Sequence, residues 1–350
     1  MKRLLQASVF FVFIHFSISA QKVNWGVDFN YFFDNTEFAK SKLVKDQTMS
    51  GVHFVPKLDI SIDTTQSIVA GIDILMLSGA TKRFQDFFPI AYFQLKKTNQ
   101  QLLIGSFPRS KSISYYSDFL FADSIQYFRP NLHGIFWNIG NTKNYFNIWL
   151  DWTGRDTEID RETFYAGISS HSQIAKIFFV DFQSYLFHFA NTNPRKPLNK
   201  LCDNAQALLM AGIDSEVFNN KANINLSAGL FGGYERERTP NSVANLPLGF
   251  VSELKFDTKY VGVNMKVYTG SPHFIFYSKY GNQLYWGNPF LRSKSYMENK
   301  VFLRFLNSEY IQGNVALKFH ISEGQFMHEQ VLTLNASIDK LISKKRFEHL

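Results

Sequence analysis

Strict alternation between polar and apolar side chains recurs along this chain. Lys57, Asp59 and Ser61 alternate with Leu58, Ile60 and Ile62, and Phe146, Ile148, Leu150 and Trp152 alternate with Asn147, Trp149 and Asp151. Ile224, Leu226, Ala228 and Leu230 alternate with Asn223, Asn225, Ser227 and Gly229; Val261, Val263, Met265 and Val267 with Asn264, Lys266 and Tyr268; and Leu332, Leu334, Ala336 and Ile338 with Thr333, Asn335, Ser337 and Asp339. Successive side chains of a strand point to opposite faces, so each run places an apolar face opposite a polar one.

Extending this pattern predicts about sixteen strands, longer than the usual soluble strand of about 5–6 residues. They run Val23 to Asp34, Ser50 to Ile62, Gln66 to Ser78, Phe87 to Lys97, Gln100 to Phe107, Asn131 to Ile139, Asn144 to Thr153 and Arg161 to His171. The second half runs Ile174 to Ala190, Asn204 to Ser215, Lys221 to Tyr234, Leu246 to Phe256, Lys259 to Thr269, Asn299 to Leu306, Glu309 to Ile321 and His328 to Asp339. Tight links such as Thr98-Asn99, Ser172-Gln173 and Asp257-Thr258 alternate with longer ones such as Asn35 to Met49, Pro108 to Pro130, Asn191 to Asp203 and Gly270 to Glu298. Short periplasmic turns alternating with long external loops are the asymmetry of bacterial outer-membrane barrels. The fold class expected is all-β, a transmembrane antiparallel up-and-down β-barrel of about sixteen strands. A secreted sandwich or propeller also has hairpins, but no fixed-period repeat supports a propeller.

Composition strengthens the barrel. Phe occurs 37 times and aromatics make up 17% of the chain, while mean hydropathy stays at −0.16. A wall facing lipid outside and water inside, with aromatic girdles at both interfaces, accounts for both. Lys2 and Arg3 precede an apolar run from Leu4 to Phe16, and Ser19-Ala20 precedes Gln21. That is the layout of a secretory signal peptide, shorter than the roughly 20 residues a membrane helix needs. Residues 1–20 are therefore expected to be a cleaved leader and 21–350 the barrel domain of a Gram-negative outer membrane. Cys202 is the only cysteine, so no intramolecular disulfide forms. The net charge of +8 falls to +6 without Lys2 and Arg3, a mild bias toward anionic solutes or lipopolysaccharide phosphates.

With the apolar set on lipid, Lys57, Asp59, Asp73, Lys96, Asp151, Asp181, Glu253, Lys255, Lys266, Arg304 and Lys318 face the lumen and are the candidate pore-lining residues. Charges of both signs suit a hydrated pore or a lumen filled with structural ion pairs. The third long connection, Pro108 to Pro130, carries Arg109, Lys111, Tyr115, Tyr116, Asp118, Asp123 and Arg129. It is the candidate constriction loop, folding inward against basic wall residues such as Lys57 or Arg304; a loop packed on itself at the surface is the alternative. The seventh, Gly270 to Glu298, concentrates Tyr277, Tyr280, Tyr285, Trp286 and Phe290, which suits stacking on a ligand or closing as a lid.

No metalloprotease, Gly-x-Ser-x-Gly, phosphate-loop or paired-cysteine metal motif is found. Some barrels hydrolyse lipids with an outward Ser-His pair, and Ser169 with His171 or His188 fits that pattern only as chance proximity. The expectation is therefore no enzyme, no cofactor and no metal.

The Ala-Gln end of the leader, the aromatic hairpins, and the segments Tyr127-Phe128-Arg129-Pro130-Asn131 and Leu284-Tyr285-Trp286-Gly287-Asn288-Pro289-Phe290 resemble uncharacterised, porin-like outer-membrane β-barrel proteins of Bacteroidetes. The resemblance implies fold and location and carries over no functional residue. The function expected is passive passage of small polar solutes; the alternative is a non-conducting barrel serving as an assembly or surface-binding component. Expected partners are outer-membrane lipid, lipopolysaccharide and small polar solutes, with no nucleic acid; a homo-oligomer or a periplasmic or surface partner protein stays open.

Overall fold

The alternation becomes one closed wall in a computed structural model that describes residues 22–39, 41–197, 199–217 and 221–338. The expected leader and Asp339, the last residue of the expected sixteenth strand, lie outside these residues. The strands are β1 (Lys22–Glu37), β2 (Gln47–Ser61), β3 (Gln66–Leu77), β4 (Asp86–Lys97), β5 (Gln100–Pro108), β6 (Asn131–Gly140), β7 (Asn144–Gly154) and β8 (Thr163–Gln173). They continue as β9 (Phe178–Phe189), β10 (Leu201–Val217), β11 (Ala222–Arg238), β12 (Leu248–Thr258), β13 (Val261–Gly270), β14 (Ser295–Asn307), β15 (Ile311–Ser322) and β16 (Gln325–Ser337). Each pairs antiparallel with its sequence neighbours, and β1 closes the ring on β16 with Phe32 opposite Thr333. Closure leaves no sheet edge, as a bilayer demands.

Each expected segment corresponds to one of these strands, with ends displaced by a few residues. Two displacements have a local cause. Ile174 belongs to a turn, its N–H bonded to the carbonyl of Phe178, so β9 starts later than the alternation suggests. β16 starts earlier, because Glu323 and Gly324 form a two-residue hairpin with φ of 51° and 74°. Positive φ at both central residues belongs to the type I′ turn, whose twist matches the flanking strands, and glycine makes the second position easy.

The outer face is apolar: Leu226, Leu230, Val301, Leu303 and Leu317 are exposed around the wall. Trp25, Trp137, Tyr260 and Phe305 lie toward the short-turn end, and Phe87, Trp152, Phe250 and Phe326 toward the long-loop end, giving an aromatic band at each. Among the described residues no helix is long and apolar enough to cross a membrane; the strands do so.

The interior of a sixteen-stranded barrel is too wide for wall side chains alone to fill. Here it is packed by loops. Phe119, Leu120, Leu284, Tyr285, Trp286 and Leu291 come from the third and seventh long connections, and all are almost wholly buried against wall residues such as Phe136, Tyr165 and Phe231. The hydrophobic core thus lies in the lumen.

Candidate functional site

The third loop is rooted at Arg109. Its Nη1 donates to Asp151 Oδ2 at 2.5 Å, its Nε to the carbonyl of Arg129 at 2.7 Å and its Nη2 to the carbonyl of Asn131 at 2.6 Å, so one guanidinium ties both ends of the loop to β7. The loop then turns inward through two helical turns, Ser110–Ile113 and Ser124–Phe128. Tyr116 accepts a hydrogen bond from Trp149 Nε1 at 3.0 Å and donates to the carbonyl of Ser184 at 3.1 Å. Tyr115 packs on Phe136 and Tyr145. Lys111 lies over the Tyr92 ring, and burial, with Lys57 and Lys96 nearby, pushes its ammonium down to about 8.

On the opposite wall two carboxylates latch the loop. Asp123 Oδ2 accepts from Lys318 Nζ at 2.7 Å, and Asp118 pairs with Lys266. The Lys318 ammonium holds the Asp123 carboxyl well below the usual carboxylate range. The inward fold expected of this loop is therefore present, but the wall cations that receive its carboxylates are Lys266 and Lys318, not Lys57 or Arg304. Lys57 pairs with Asp28 at 2.6 Å and Arg304 with Asp257 at 2.7 Å, both nearer the short-turn end.

The seventh loop meets the third in mid-lumen. Ala122 N donates to the carbonyl of Trp286 at 2.8 Å and Asn288 N to that of Phe119 at 3.3 Å. The Arg109 and Arg129 guanidinium carbons both lie 5.0 Å from the Trp286 ring centroid, within cation–π range. Glu235, fully buried on β11, accepts the N–H groups of Phe274 at 2.6 Å and Ile275 at 2.8 Å and so anchors the loop's start. The expected lid is thus a plug. The two short segments 127–131 and 284–290 singled out in the sequence belong to the filling of the lumen.

All eleven polar wall residues expected to face inward have their side chains on the lumenal side, but most are engaged. Besides the pairs above, Asp73 bonds His53 at 2.7 Å, Asp181 bonds His171 at 2.6 Å and Lys255 pairs with Glu253 at 3.0 Å. Asp59 keeps one buried oxygen without a hydrogen-bond partner, and Lys96 borders open space. Open space remains within the lumen at both ends. A cavity of about 610 Å³ opens at the short-turn end, beside Lys96, Lys255, Asp181 and Tyr115. Toward the long loops lie one of about 730 Å³ beside Lys318, His320, Glu329 and Trp286, and one of about 380 Å³ beside Ser124, Arg129 and Trp286.

A second cluster sits on the outer face near the long-loop end. The ladder register places Trp152 opposite Phe164, Phe164 opposite His188, His188 opposite Asp203 and Asp203 opposite Arg236, one row across β7 to β11. The His188 ring packs on Phe164 with centroids 5.0 Å apart, and its Nδ1 lies 3.8 Å from Asp203 Oδ1. Arg238 grips Asp203 with two bonds, Nε to Oδ2 at 2.6 Å and Nη2 to Oδ1 at 2.9 Å. An imidazole beside a fixed carboxylate, at the level of a membrane interface, is the arrangement of a general base. Among the described residues no Ser, Thr or Cys side chain is hydrogen-bonded to His188.

Ser169 does not belong to it. Its hydroxyl points into the lumen and is wholly buried, His171 is bound to Asp181 on the same inner side, and His188 faces out. The sequence alternation separates Ser169 from His188 by face. Asp203 and Arg238 were not singled out because their meeting with His188 depends on cross-strand register.

The wall and its plugged lumen define an outer-membrane-type β-barrel. Solved barrels with this architecture include in-vitro folded OmpT of Vibrio cholerae (7% identity, TM-score 0.51, 91% of this chain and 100% of that one) and the anion-selective porin of Comamonas acidovorans (8% identity, TM-score 0.51, 91% and 99%). OmpF of Salmonella typhi in complex with daunomycin is similar to the same degree (11% identity, TM-score 0.51, 91% and 98%). At these identities the likeness is one of fold. The sequence itself matches the lipid A 3'-O-deacylase-type family over residues 17–345, and the chain belongs to that family. No curated protein matches it. Membership in a family described by an enzymatic reaction overturns the expectation of no enzyme. That expectation rested on motif searches, which cannot see a site assembled from neighbouring strands.

Proposed function

We propose that the protein is an outer-membrane acyl-ester hydrolase acting on lipid A, with His188 as general base and Asp203 as its orienting carboxylate. The observation that carries this reading is the His188–Asp203–Arg238 cluster on the outward face at the long-loop rim, where the outer leaflet's glycolipid heads would lie. The family description supplies the substrate class, and the packed lumen disfavours free diffusion. In the reaction a water molecule attacks the ester carbonyl carbon while His188 Nε2 takes its proton. The tetrahedral intermediate collapses, the acyl C–O bond breaks, and the proton passes to the departing sugar oxygen, leaving a fatty acid and a sugar hydroxyl. The 3.8 Å between His188 and Asp203 shortens by about 1 Å on substrate binding, in line with apo sites whose catalytic hydrogen bonds tighten in the complex.

The test is mass spectrometry of purified hexa-acylated lipid A after incubation with the folded barrel in detergent. Loss of one ester-linked acyl chain is expected, with His188→Asn slower by about 10²–10⁴-fold, the usual contribution of a general base. Unchanged lipid A, or full activity in the variant, would overturn the reading.

Passive passage of small polar solutes is the second reading, favoured by polar cavities that reach toward both ends of the lumen. It requires the two loops to part. Planar-bilayer recording tests it directly. Lipid A retained but never cleaved would instead support a non-conducting surface-binding barrel.

A further inference from the structure

The outer wall directly beneath the His188 row is not uniformly bulky. The next row toward mid-membrane runs Ile135, Leu150, Ala166, Leu186 and Ala205 across β6 to β10, and the one below it runs Ile148, Ile168, Ser184 and Ala207. Ala166, Ser184 and Ala205 are small and face out, while Ile135, Leu150, Ile168 and Leu186 stand around them. The backbone can sink further at Gly167, where the Trp149 ring lies so close on the inner side that a Cβ would come within 2.3 Å of it. The result is an open apolar trough of about 430 Å³ on the lipid side, one strand row below His188 and Asp203.

We propose that this trough seats one acyl chain of the phosphorylated glycolipid whose ester reaches His188. The inference rests on the hydrolase reading for its substrate and adds the place where that substrate is held. Three observations select a phosphorylated lipid over any other occupant. The lining is almost wholly apolar, so it suits a hydrocarbon tail. The trough lies in the membrane-facing band, where tails are. Above it the rim carries cations among acidic side chains: Arg236 ends the His188 row, Arg238 lies beside it, and Arg195 and Lys196 are exposed in the loop between β9 and β10, which is hydrogen-bonded to the β7–β8 loop bearing Asp156, Glu158 and Asp160. Arg238 is engaged by Asp203, so Arg236, Arg195 and Lys196 are the cations assigned to the phosphate. A tail in the trough with its headgroup under these side chains would bring the ester linkage to the row between them, where His188 sits.

The experiment separates holding from cleaving. His188→Asn protein is mixed with hexa-acylated lipid A in detergent, and retained lipid is counted by native mass spectrometry. One tightly held molecule is expected. Filling the trough with Ala166→Leu and Ala205→Leu in that background should lower retention at least tenfold. Val315→Phe, on the outward face of β15 across the barrel, should leave retention unchanged. All three added side chains are apolar and face lipid, and a heat-modifiability gel verifies that each variant is folded. Equal retention in the filled and unfilled proteins would overturn the trough. If wild-type protein never cleaves lipid A but the filled variant loses it, the trough stands and the hydrolase reading falls. If wild-type protein cleaves and the filled variant binds and cleaves equally well, the hydrolase reading stands and the trough falls.

Discussion

Arg109 Nη1 and Asp151 Oδ2 meet 2.5 Å apart in a site where the two side chains are 2% and 0% exposed, and this pair fixes the third loop to the wall. Asp151 spends its other oxygen on the N–H of His133 at 2.9 Å, so the carboxylate is fully engaged. Removing only the cation strands a buried negative charge, which costs about 3–5 kcal/mol. Arg109→Met should lower barrel stability by that order, read from the urea midpoint in micelles. Adding Asp151→Asn should recover a large part of the loss. A single variant as stable as wild type would mean that water reaches Asp151 and the pair is not the loop's root.

The loop's far side depends on two lysines. Lys266 lies between Asp118 and Glu298, and Lys318 between Asp123 and Glu329. Asp118→Asn with Asp123→Asn removes the two loop carboxylates while leaving each lysine a wall partner, so the barrel should fold. The loop should dwell more often away from the wall. In planar bilayers the wild type is expected to be closed or nearly so, and the double variant to show stepwise openings. Equal silence in both would put the closure on the Arg109 root and the Glu235 anchor instead.

The strands were legible because lipid enforces the alternation at most outward positions, from Leu58 on β2 to Leu317 on β15. The loops were legible only in part. Their aromatic content announced burial, yet which lysines would receive Asp118 and Asp123 depends on how deep the loop dips, a property of the whole barrel and not of Pro108 to Pro130. The outer cluster was the least legible. His188 and Asp203 face each other only because the loop between β9 and β10 sets that register, and a one-residue slip would turn Asp203 into the lumen.

That cluster gives the next expectation. Asp203→Asn keeps the size of the side chain and part of its contact with Arg238 while removing the charge that orients His188. If Asp203 positions the base, lipid A hydrolysis should fall by one to three orders of magnitude, roughly. Arg238→Lys should be milder, since the charge stays but the two-bond grip is lost. The informative readout is the split between parameters: Asp203→Asn should lower kcat with little change in KM. A change confined to KM would make Asp203 a headgroup contact and not a positioning residue.

His273, at the start of the seventh loop, gives the plug a pH dependence. It is wholly buried, its Nδ1 bonded to Gln206 Oε1 at 2.8 Å and its ring centroid 4.5 Å from that of Phe231, and burial pushes its pKa down to about 3. Once the loop leaves its seat the imidazole returns to about 6.5, so the undocked state binds the extra proton. A folded pKa below the undocked one contributes stability that is complete above pH 6.5 and is lost as pH falls from there toward 3. The slope is at most about 1.4 kcal/mol per pH unit. Hydrogen exchange of the Phe274 and Ile275 amides, corrected for its intrinsic pH dependence, should therefore quicken between pH 7 and pH 4.5. Glu235 faces the same two amides, so wild-type acceleration alone does not isolate the histidine. His273→Gln, which keeps a neutral polar group beside Gln206 and cannot take up a proton, should flatten that part of the profile. If both proteins loosen equally on acidification, the pH dependence belongs to the carboxylates and His273 is only packing.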